Sequence, residues 1–161
     1  KTAIQWLYEA GIINICYNLS NISLPLEGNK IKDVFKIYMQ DSGLFVAMLE
    51  EGSAWHILNG DFGIYKGAIY ENIIADAFSK KSKPLYYYHK DSGLEIDFVT
   101  KYKEKATLIE VKASNGNIKS SKTVLKNKAQ YNTDLCIKFG ECNVGFTGEI
   151  LTLPYYMAFM I

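Results

Sequence analysis

Two short segments alternate acidic with apolar residues, which is the pattern of a β-strand with two different faces. The segments are Leu94-Glu95-Ile96-Asp97-Phe98-Val99 and Thr107-Leu108-Ile109-Glu110-Val111-Lys112. Because alternate side chains of a strand share a face, the pattern predicts that Ile96 and Phe98 point one way and Asp97 the other. Glu110 and Lys112 share a face in the same manner. The two segments could therefore bring carboxylates and an ammonium group to one site.

The segments form an antiparallel hairpin if residues 102–105 are its loop. Lys101 then faces Ala106, and the numbers of paired residues sum to 207. In this register Asp97 lies directly across from Glu110. Two carboxylates with Cβ atoms about 5 Å apart repel each other, unless a cation lies between them or one of them is protonated.

A hard divalent cation such as Mg²⁺ or Mn²⁺ would remove this repulsion, because it accepts one or two carboxylates together with water and phosphate oxygens. Lys112 follows Glu110 by two residues and would reach the same place. The hairpin therefore predicts Asp97 and Glu110 as metal ligands.

A third acidic residue belongs to a helix predicted over residues 65–80. Glu71 shares a helical face with apolar residues that include Ile74 and Phe78, so it should point inward to the sheet. Gly67, one turn earlier, would let the helix approach the sheet closely.

The same acidic residues also have an ordinary structural interpretation. An exposed edge hairpin often carries Glu and Lys as solvated side chains, and a single helical Glu is more often a surface or capping residue than a ligand. The ordered combination favours a site, because an inward Glu, an Asp on the next hairpin and a Glu-x-Lys on its partner strand are unusual together.

The wider pattern of apolar residues predicts an α/β fold around these segments. Helix, strand, strand and helix are predicted over residues 2–10, 12–19, 34–39 and 42–49, an order that resembles part of a winged helix. Beyond residue 84, strands are predicted over 85–89, 94–101, 106–113 and 135–139 and a helix over 120–128, which with the helix over 65–80 gives the order αβββαβ. One or two short strands follow. The predicted domains are a partial winged-helix segment, residues 1–52, and an α/β domain, residues 53–161.

The length fits one folded domain, or one domain plus a small appendage, and the chain has no large positive net charge that would attract nucleic acid. Of 161 residues, 48% are hydrophobic and 22% charged, and the formal net charge is +1. All eighteen basic residues are Lys, so the Arg side chains that most often read guanine are missing. Nucleic acid could still bind a local patch, and Lys119, Lys122 and Lys126 share one face of a predicted helix. A solvated lysine face is the ordinary alternative.

Cysteine usage and hydropathy indicate a cytoplasmic protein with no membrane partner. The three cysteines form no CxxC pair and leave an odd count, which argues against a disulfide framework and a structural zinc site. No run of about 18 uncharged apolar residues occurs, so the sequence predicts no membrane-spanning helix.

The set Glu71, Asp97 and Glu110-Val111-Lys112 on an αβββαβ frame resembles the PD-(D/E)XK nuclease superfamily, which has the restriction-endonuclease-like fold. Nearly the whole chain is similar to the uncharacterised C-terminal domain of prokaryotic AAA-type ATPases. The matching segments are Lys36-Ile37-Tyr38, Asp41-Ser42-Gly43-Leu44, Gly67 to Glu71, Glu95-Ile96-Asp97-Phe98 and Ile109-Glu110-Val111-Lys112-Ala113. The superfamily's Pro before the first Asp is replaced by Ile96.

This resemblance implies a phosphodiesterase that depends on Mg²⁺ or Mn²⁺. Asp97, Glu110 and the backbone carbonyl of Val111 would hold the metal ion. Glu71 would complete or orient the metal shell, while Lys112 would position the nucleophile and offset charge in the transition state. The alternative is a non-catalytic domain of the same fold that recognises a partner or nucleic acid, or regulates the ATPase.

The resemblance also implies an ATPase module upstream in the same chain. The P-loop pattern G-x-x-x-x-G-K-[ST] does not occur in these 161 residues. We therefore expect the sequence to be a C-terminal fragment and assign no ATP hydrolysis to it.

Overall fold

Eight strands form a mixed sheet in the computed structural model of the chain, which describes residues 2–113 and 116–161. The strands are β1 (Ile13–Leu19), β2 (Lys30–Met39), β3 (Leu85–His89), β4 (Glu95–Tyr102), β5 (Lys105–Val111), β6 (Cys136–Gly140), β7 (Gly145–Thr147) and β8 (Ile150–Pro154). The helices are α1 (Ala3–Glu9), α2 (Ser42–Ala47), α3 (Ser53–Leu58), α4 (Lys66–Lys80) and α5 (Lys119–Lys126). Short 3₁₀ helices lie at Leu26–Asn29, Gly63–Tyr65 and Tyr155–Met160.

The strands lie in the spatial order β2-β1-β3-β4-β5-β6-β8-β7. β1 runs parallel to β3, β5 to β6 and β6 to β8, and the other neighbouring pairs are antiparallel. The predicted α/β class is therefore confirmed. Cys16 of β1 pairs with Leu85 of β3, so the hairpin of residues 1–52 extends the same sheet. The two predicted segments, residues 1–52 and 53–161, therefore contribute strands to one sheet.

Helices cover both faces of this sheet. On one face, α4 packs Ile74 and Phe78 into a cluster with Phe98 of β4. On the other face, α5 packs Val124 into a cluster with Leu108 of β5. β4 and β5 are consequently buried over most of their length, and the acidic residues that they carry are withdrawn from bulk water.

The β4–β5 hairpin has the predicted register and a tighter turn. Lys101 pairs with Ala106, and the pairing continues to Phe98 and Ile109 with residue numbers that sum to 207. The ladder ends at that pair, so the predicted direct pairing of Asp97 with Glu110 is not part of it. The loop has two residues instead of the predicted four, because Tyr102 and Lys105 also pair. Both loop residues have positive φ, 47° at position 103 and 60° at position 104, which suits the twist of a two-residue hairpin turn.

A β-bulge in β4 corrects one prediction about side-chain direction. Tyr86 pairs with Val99, but Tyr88 pairs with Ile96, so β4 holds one more residue than β3 between these pairs. Ile96 therefore belongs to the cluster on the α5 face and Phe98 to the cluster on the α4 face. The prediction that these two side chains share a face is wrong, because the extra residue interrupts the alternation at Asp97.

The predicted elements agree with the observed ones to within two residues at their starts and ends, except that β2 begins four residues early, at Lys30. Within α4 the predicted inward face is confirmed, since Ile74 and Phe78 are buried. Gly67 is exposed, and an added Cβ there would meet nothing within 4 Å, so the predicted close approach to the sheet is wrong. Among the described residues no helix has the length and hydropathy needed to cross a membrane.

Candidate functional site

The carboxylates of Asp97 and Glu110 share one ammonium group. Lys112 Nζ lies 3.2 Å from Asp97 Oδ2 and 2.7 Å from Glu110 Oε2. The two carboxylate side chains are only 12% and 3% exposed, so their mutual repulsion would be severe without an opposite charge. The chain itself thus supplies a cation that contacts both carboxylates.

The Glu110 carboxylate is held on the α5 face of the sheet. Ser121 Oγ of α5 donates a hydrogen bond of 2.5 Å to Glu110 Oε1. Burial and the charge of Asp97 raise the pKa of Glu110, and the hydrogen bonds from Lys112 and Ser121 act against that rise. Burial alone would lower the pKa of Lys112, but Asp97 and Glu110 outweigh it and raise that pKa above its usual value. Lys112 is therefore a fixed positive charge at neutral pH.

Asp97 occupies the bulge at the point where the β4–β5 ladder ends. Beyond the last pair, Phe98 with Ile109, the Val111 N–H donates to Asp97 Oδ2 over 2.7 Å. The bulge thus places the Asp97 carboxylate at the end of the β4–β5 ladder. There its Oδ2 accepts hydrogen bonds from the Val111 N–H and from Lys112 Nζ. The backbone of Val111 lies beside the carboxylate, and its carbonyl as a metal ligand stays a prediction.

Glu71 lies on the opposite, α4 face of the sheet. Tyr38 of β2 donates its hydroxyl to Glu71 Oε2 over 3.1 Å. The next residue, Asn72, bonds the backbone of Met39 through both ends of its amide, which ties α4 to the end of β2. Burial is the largest cause that raises the pKa of Glu71, and the charge of Asp97 is the next largest. Glu71 is therefore an electrostatic neighbour of Asp97.

A second lysine approaches the site from β2. Lys36 Nζ donates to Glu95 Oε1 over 2.6 Å and lies 4.8 Å from the centre of the Tyr87 ring. Burial lowers the pKa of Lys36, but Glu95, Glu71 and Asp97 together raise it above its usual value. The lysine hydrogen bond in turn lowers the pKa of Glu95. Four carboxylates and two ammonium groups thus form one electrostatic cluster, with a formal excess of two negative charges when all are ionised.

A cavity of about 450 Å³ opens onto this cluster. Glu95, Asp97, Glu110 and Lys112 line it together with the segment that begins α5, Asn117 to Ser120. Lys119 belongs to that lining, whereas Lys122 and Lys126 are exposed further along the helix. A larger groove of about 600 Å³, bounded by residues that include Leu24, Pro84 and Tyr86, contains none of these carboxylates.

Two of the three predicted carboxylates form a donor set suited to one hard divalent cation. Asp97 and Glu110 offer the oxygen ligands that Mg²⁺ and Mn²⁺ prefer, and among the described residues no donor is bonded to Asp97 Oδ1. Within residues 2–113 and 116–161, no three carboxylate, His or Cys side chains are grouped to hold one ion. Glu71 therefore lies outside the donor set, and a metal ion would compete with Lys112 for the other two.

The sequence analysis assigned no role in the site to Lys36, Tyr38, Ser121 and Tyr155. Tyr38 and Lys36 alternate on β2, and their spacing of two predicts one shared face, but not that this face meets Glu71 and Glu95. Ser121 precedes Val124 and Leu125 on the buried face of α5. A small polar residue within an apolar helical face could have indicated that Ser121 meets a buried polar group. Tyr155, whose hydroxyl donates to the backbone carbonyl of Lys112, had no comparable signal.

A family model described as Domain of unknown function (DUF4143) matches residues 66–156, which is more than half of the chain. The chain belongs to the DUF4143 family. The matched range begins with α4 and contains Glu71, Asp97, Glu110 and Lys112, while β1, β2 and Lys36 precede it. No curated protein and no solved structure matches this DUF4143 chain.

Proposed function

We propose that this DUF4143 domain is a metal-dependent phosphodiesterase of the nuclease type. The observation that carries the proposal is the contact of Lys112 with both Asp97 and Glu110 at the end of a hairpin. Buried acidic side chains with a shared ammonium, open to a cavity, are costly for stability, which favours a functional origin.

The order of elements supports a restriction-endonuclease-like core for the proposed enzyme. α4, β3, β4, β5, α5 and β6 follow one another as αβββαβ, and Glu71, Asp97 and the Glu110-x-Lys112 pair lie on the first helix and the hairpin. Residues 1–52 are proposed as a partial winged helix, since α1, the β1–β2 hairpin and α2 follow in that order, and the hairpin belongs to the main sheet. An ATPase module upstream and a cytoplasmic location belong to the same proposal, and three free thiols fit a reducing compartment.

In this proposal Asp97 and Glu110 hold one Mg²⁺ or Mn²⁺ ion. When bound, such an ion polarises a phosphodiester and lowers the pKa of a bound water molecule. Displaced from the carboxylates, the Lys112 ammonium would be free to contact a phosphate oxygen and to offset charge in the transition state. Glu71 acts through its charge on Asp97, and Ser121 keeps Glu110 oriented.

The second candidate is a non-catalytic domain that binds nucleic acid or a protein partner, or regulates an ATPase. The contact that supports the enzyme is also compatible with this alternative, because an ammonium group that contacts both carboxylates offsets part of their repulsion as a structural ion pair would. An exposed lysine face on α5, formed by Lys119, Lys122 and Lys126, could follow a phosphate backbone without any cleavage.

Cleavage of labelled single-stranded and double-stranded nucleic acid tests the proposal. Wild-type protein should cut in Mg²⁺ or Mn²⁺ and stop with EDTA, and Asp97→Asn should lose cleavage while keeping its circular dichroism spectrum. Lys32→Met is the matched control, because Lys32 is exposed on β2 and lies outside the cavity lining. Equal cleavage by wild type and Asp97→Asn would mean a contaminating nuclease, and absence of cleavage on all substrates would favour the non-catalytic domain.

A further inference from the structure

Lys36 and its partner Glu95 belong to the electrostatic cluster but have no part in the proposed metal site. The Lys36 side chain starts on β2, passes the Tyr87 ring of β3 and ends at Glu95 of β4. The side chain thus extends along the sheet from the β1–β2 hairpin to Glu95, and Glu95 lines the cavity. An ion pair between two surface residues on neighbouring strands would not need the Lys36 side chain to extend past another strand.

Glu95 joins Lys36 to the other side of the cavity. Its carboxylate accepts from Lys36, and its backbone N–H donates to Ser120 Oγ at the start of α5 over 3.4 Å. Lys119, which precedes Ser120, lines the same cavity. Lys112 and Lys119 therefore line the cavity, and Lys36, outside the lining, contacts Glu95, which does line it.

The carboxylate of Glu95 is the group that now satisfies Lys36. Its side chain is 46% exposed, so it can move into water at little cost, whereas the Lys36 side chain is 31% exposed and held over an aromatic ring. A phosphate oxygen could take the place of Glu95 Oε1, because both are anionic acceptors of an ammonium hydrogen bond.

We propose that Lys36 is a phosphate-binding residue of this site and that Glu95 occupies its phosphate position until a nucleic-acid strand displaces it. The inference rests on the proposed phosphodiesterase site for its substrate class. A strand bound in the cavity would place phosphates near Lys112 and Lys119, and its continuation past Glu95 would bring one to Lys36.

Fluorescence anisotropy tests this with the 161-residue chain and a labelled single-stranded DNA of about 12 nucleotides, the length that such sites cover. Binding is measured in EDTA and in millimolar Ca²⁺, so that no cleavage is needed. Lys36→Met should weaken binding about fivefold to tenfold and lower the slope of log Kd against log salt by about 0.7. Glu95→Gln should tighten binding about threefold, because it removes the competing carboxylate. Lys32→Met, on the same strand, should bind as wild type does.

The opposite signs of the two variants separate phosphate binding from a structural ion pair. If Lys36→Met and Glu95→Gln both weaken binding, or neither changes it, the proposal is wrong. Absence of wild-type binding in both buffers also overturns it. If Lys36→Met weakens binding but no cleavage occurs, the inference about Lys36 stands and the proposed phosphodiesterase is refuted. If cleavage occurs but Lys36→Met binds as wild type does, the phosphodiesterase stands and the inference about Lys36 is refuted. An RNA of the same sequence shows whether the contact is common to both backbones.

Discussion

Replacing Lys112 by Met tests whether its ammonium group holds the two buried carboxylates. Met keeps most of the aliphatic length of Lys112 but removes the charge and the contacts of 2.7 Å to Glu110 and 3.2 Å to Asp97. Both carboxylates then remain in a site where they are 3% and 12% exposed, without the ammonium that now contacts both. The folded state should lose stability.

The size of this loss follows from the geometry. At an effective dielectric constant of about 20, charges at these two distances attract by roughly 5 to 6 kcal/mol each, and desolvation offsets much of that attraction. Removal of one partner of a buried pair costs about 3 to 5 kcal/mol. Because the Lys112 side chain is 24% exposed, we expect the lower end, about 3 kcal/mol. In a chain of this length that corresponds to a fall in Tm of about 6 to 12 °C.

The loss should be larger at pH 8 than at pH 5. Burial already raises the pKa of Glu110 in the folded protein above its unfolded value, and removal of Lys112 raises it further. The folded variant then binds a proton more tightly than the unfolded chain does. Its stability relative to wild type therefore rises as the pH falls toward that raised pKa. Lys112 stays charged throughout this range in the wild type, because its own pKa is raised.

Thermal melting at pH 8 and pH 5, with and without millimolar Mn²⁺, measures these effects. If the ion competes with Lys112, Mn²⁺ should raise the Tm of Lys112→Met by more than that of the wild type, since only the folded form binds it. Lys32→Met serves as the control and should melt within a degree or two of wild type. Equal Tm values for Lys112→Met and wild type at pH 8, or a difference that does not shrink at pH 5, would refute the reasoning.

Three further outcomes are expected. Ser121→Ala should lower the free energy of unfolding by about 1 to 2 kcal/mol in urea titrations, because it leaves a buried oxygen of Glu110 without its hydroxyl donor; an unchanged urea midpoint would contradict this. Asp97→Asn should abolish the rise in Tm that Mn²⁺ causes in the wild type, and a retained rise would place the ion elsewhere. The double variant Lys103→Asn, Glu104→Gly should raise the Tm by a few degrees, because Asn and Gly adopt positive φ at less cost than the present residues.

The core of the site could be predicted from local sequence. A run of residues with period two determines which side chains share a strand face, and a short loop determines the register. These two facts predicted that Asp97, Glu110 and Lys112 lie near one another, and the contacts of Lys112 with both carboxylates agree with that proximity. The same periodicity argument at 3.6 residues placed Glu71 on the inward side of α4.

The direction of Asp97 could not be predicted in the same way. A bulge is a property of two strands, since it appears only when the pairing of β4 with β3 is compared along its length. Neither strand shows it alone. It reverses the expected relation of Ile96 and Phe98, and it turns Asp97 to the end of the ladder, where it meets the Val111 N–H.

The sequence by itself determined the hairpin, its register and the identity of the acidic and basic residues, because these depend on neighbours close in the chain. The tertiary structure alone decided that Glu71 and Glu110 lie on opposite faces of the sheet and that Lys36 reaches Glu95, 59 residues away. Both depend on the order of strands in space. That order is set by the burial of two apolar faces against α4 and α5, which involves the whole chain at once.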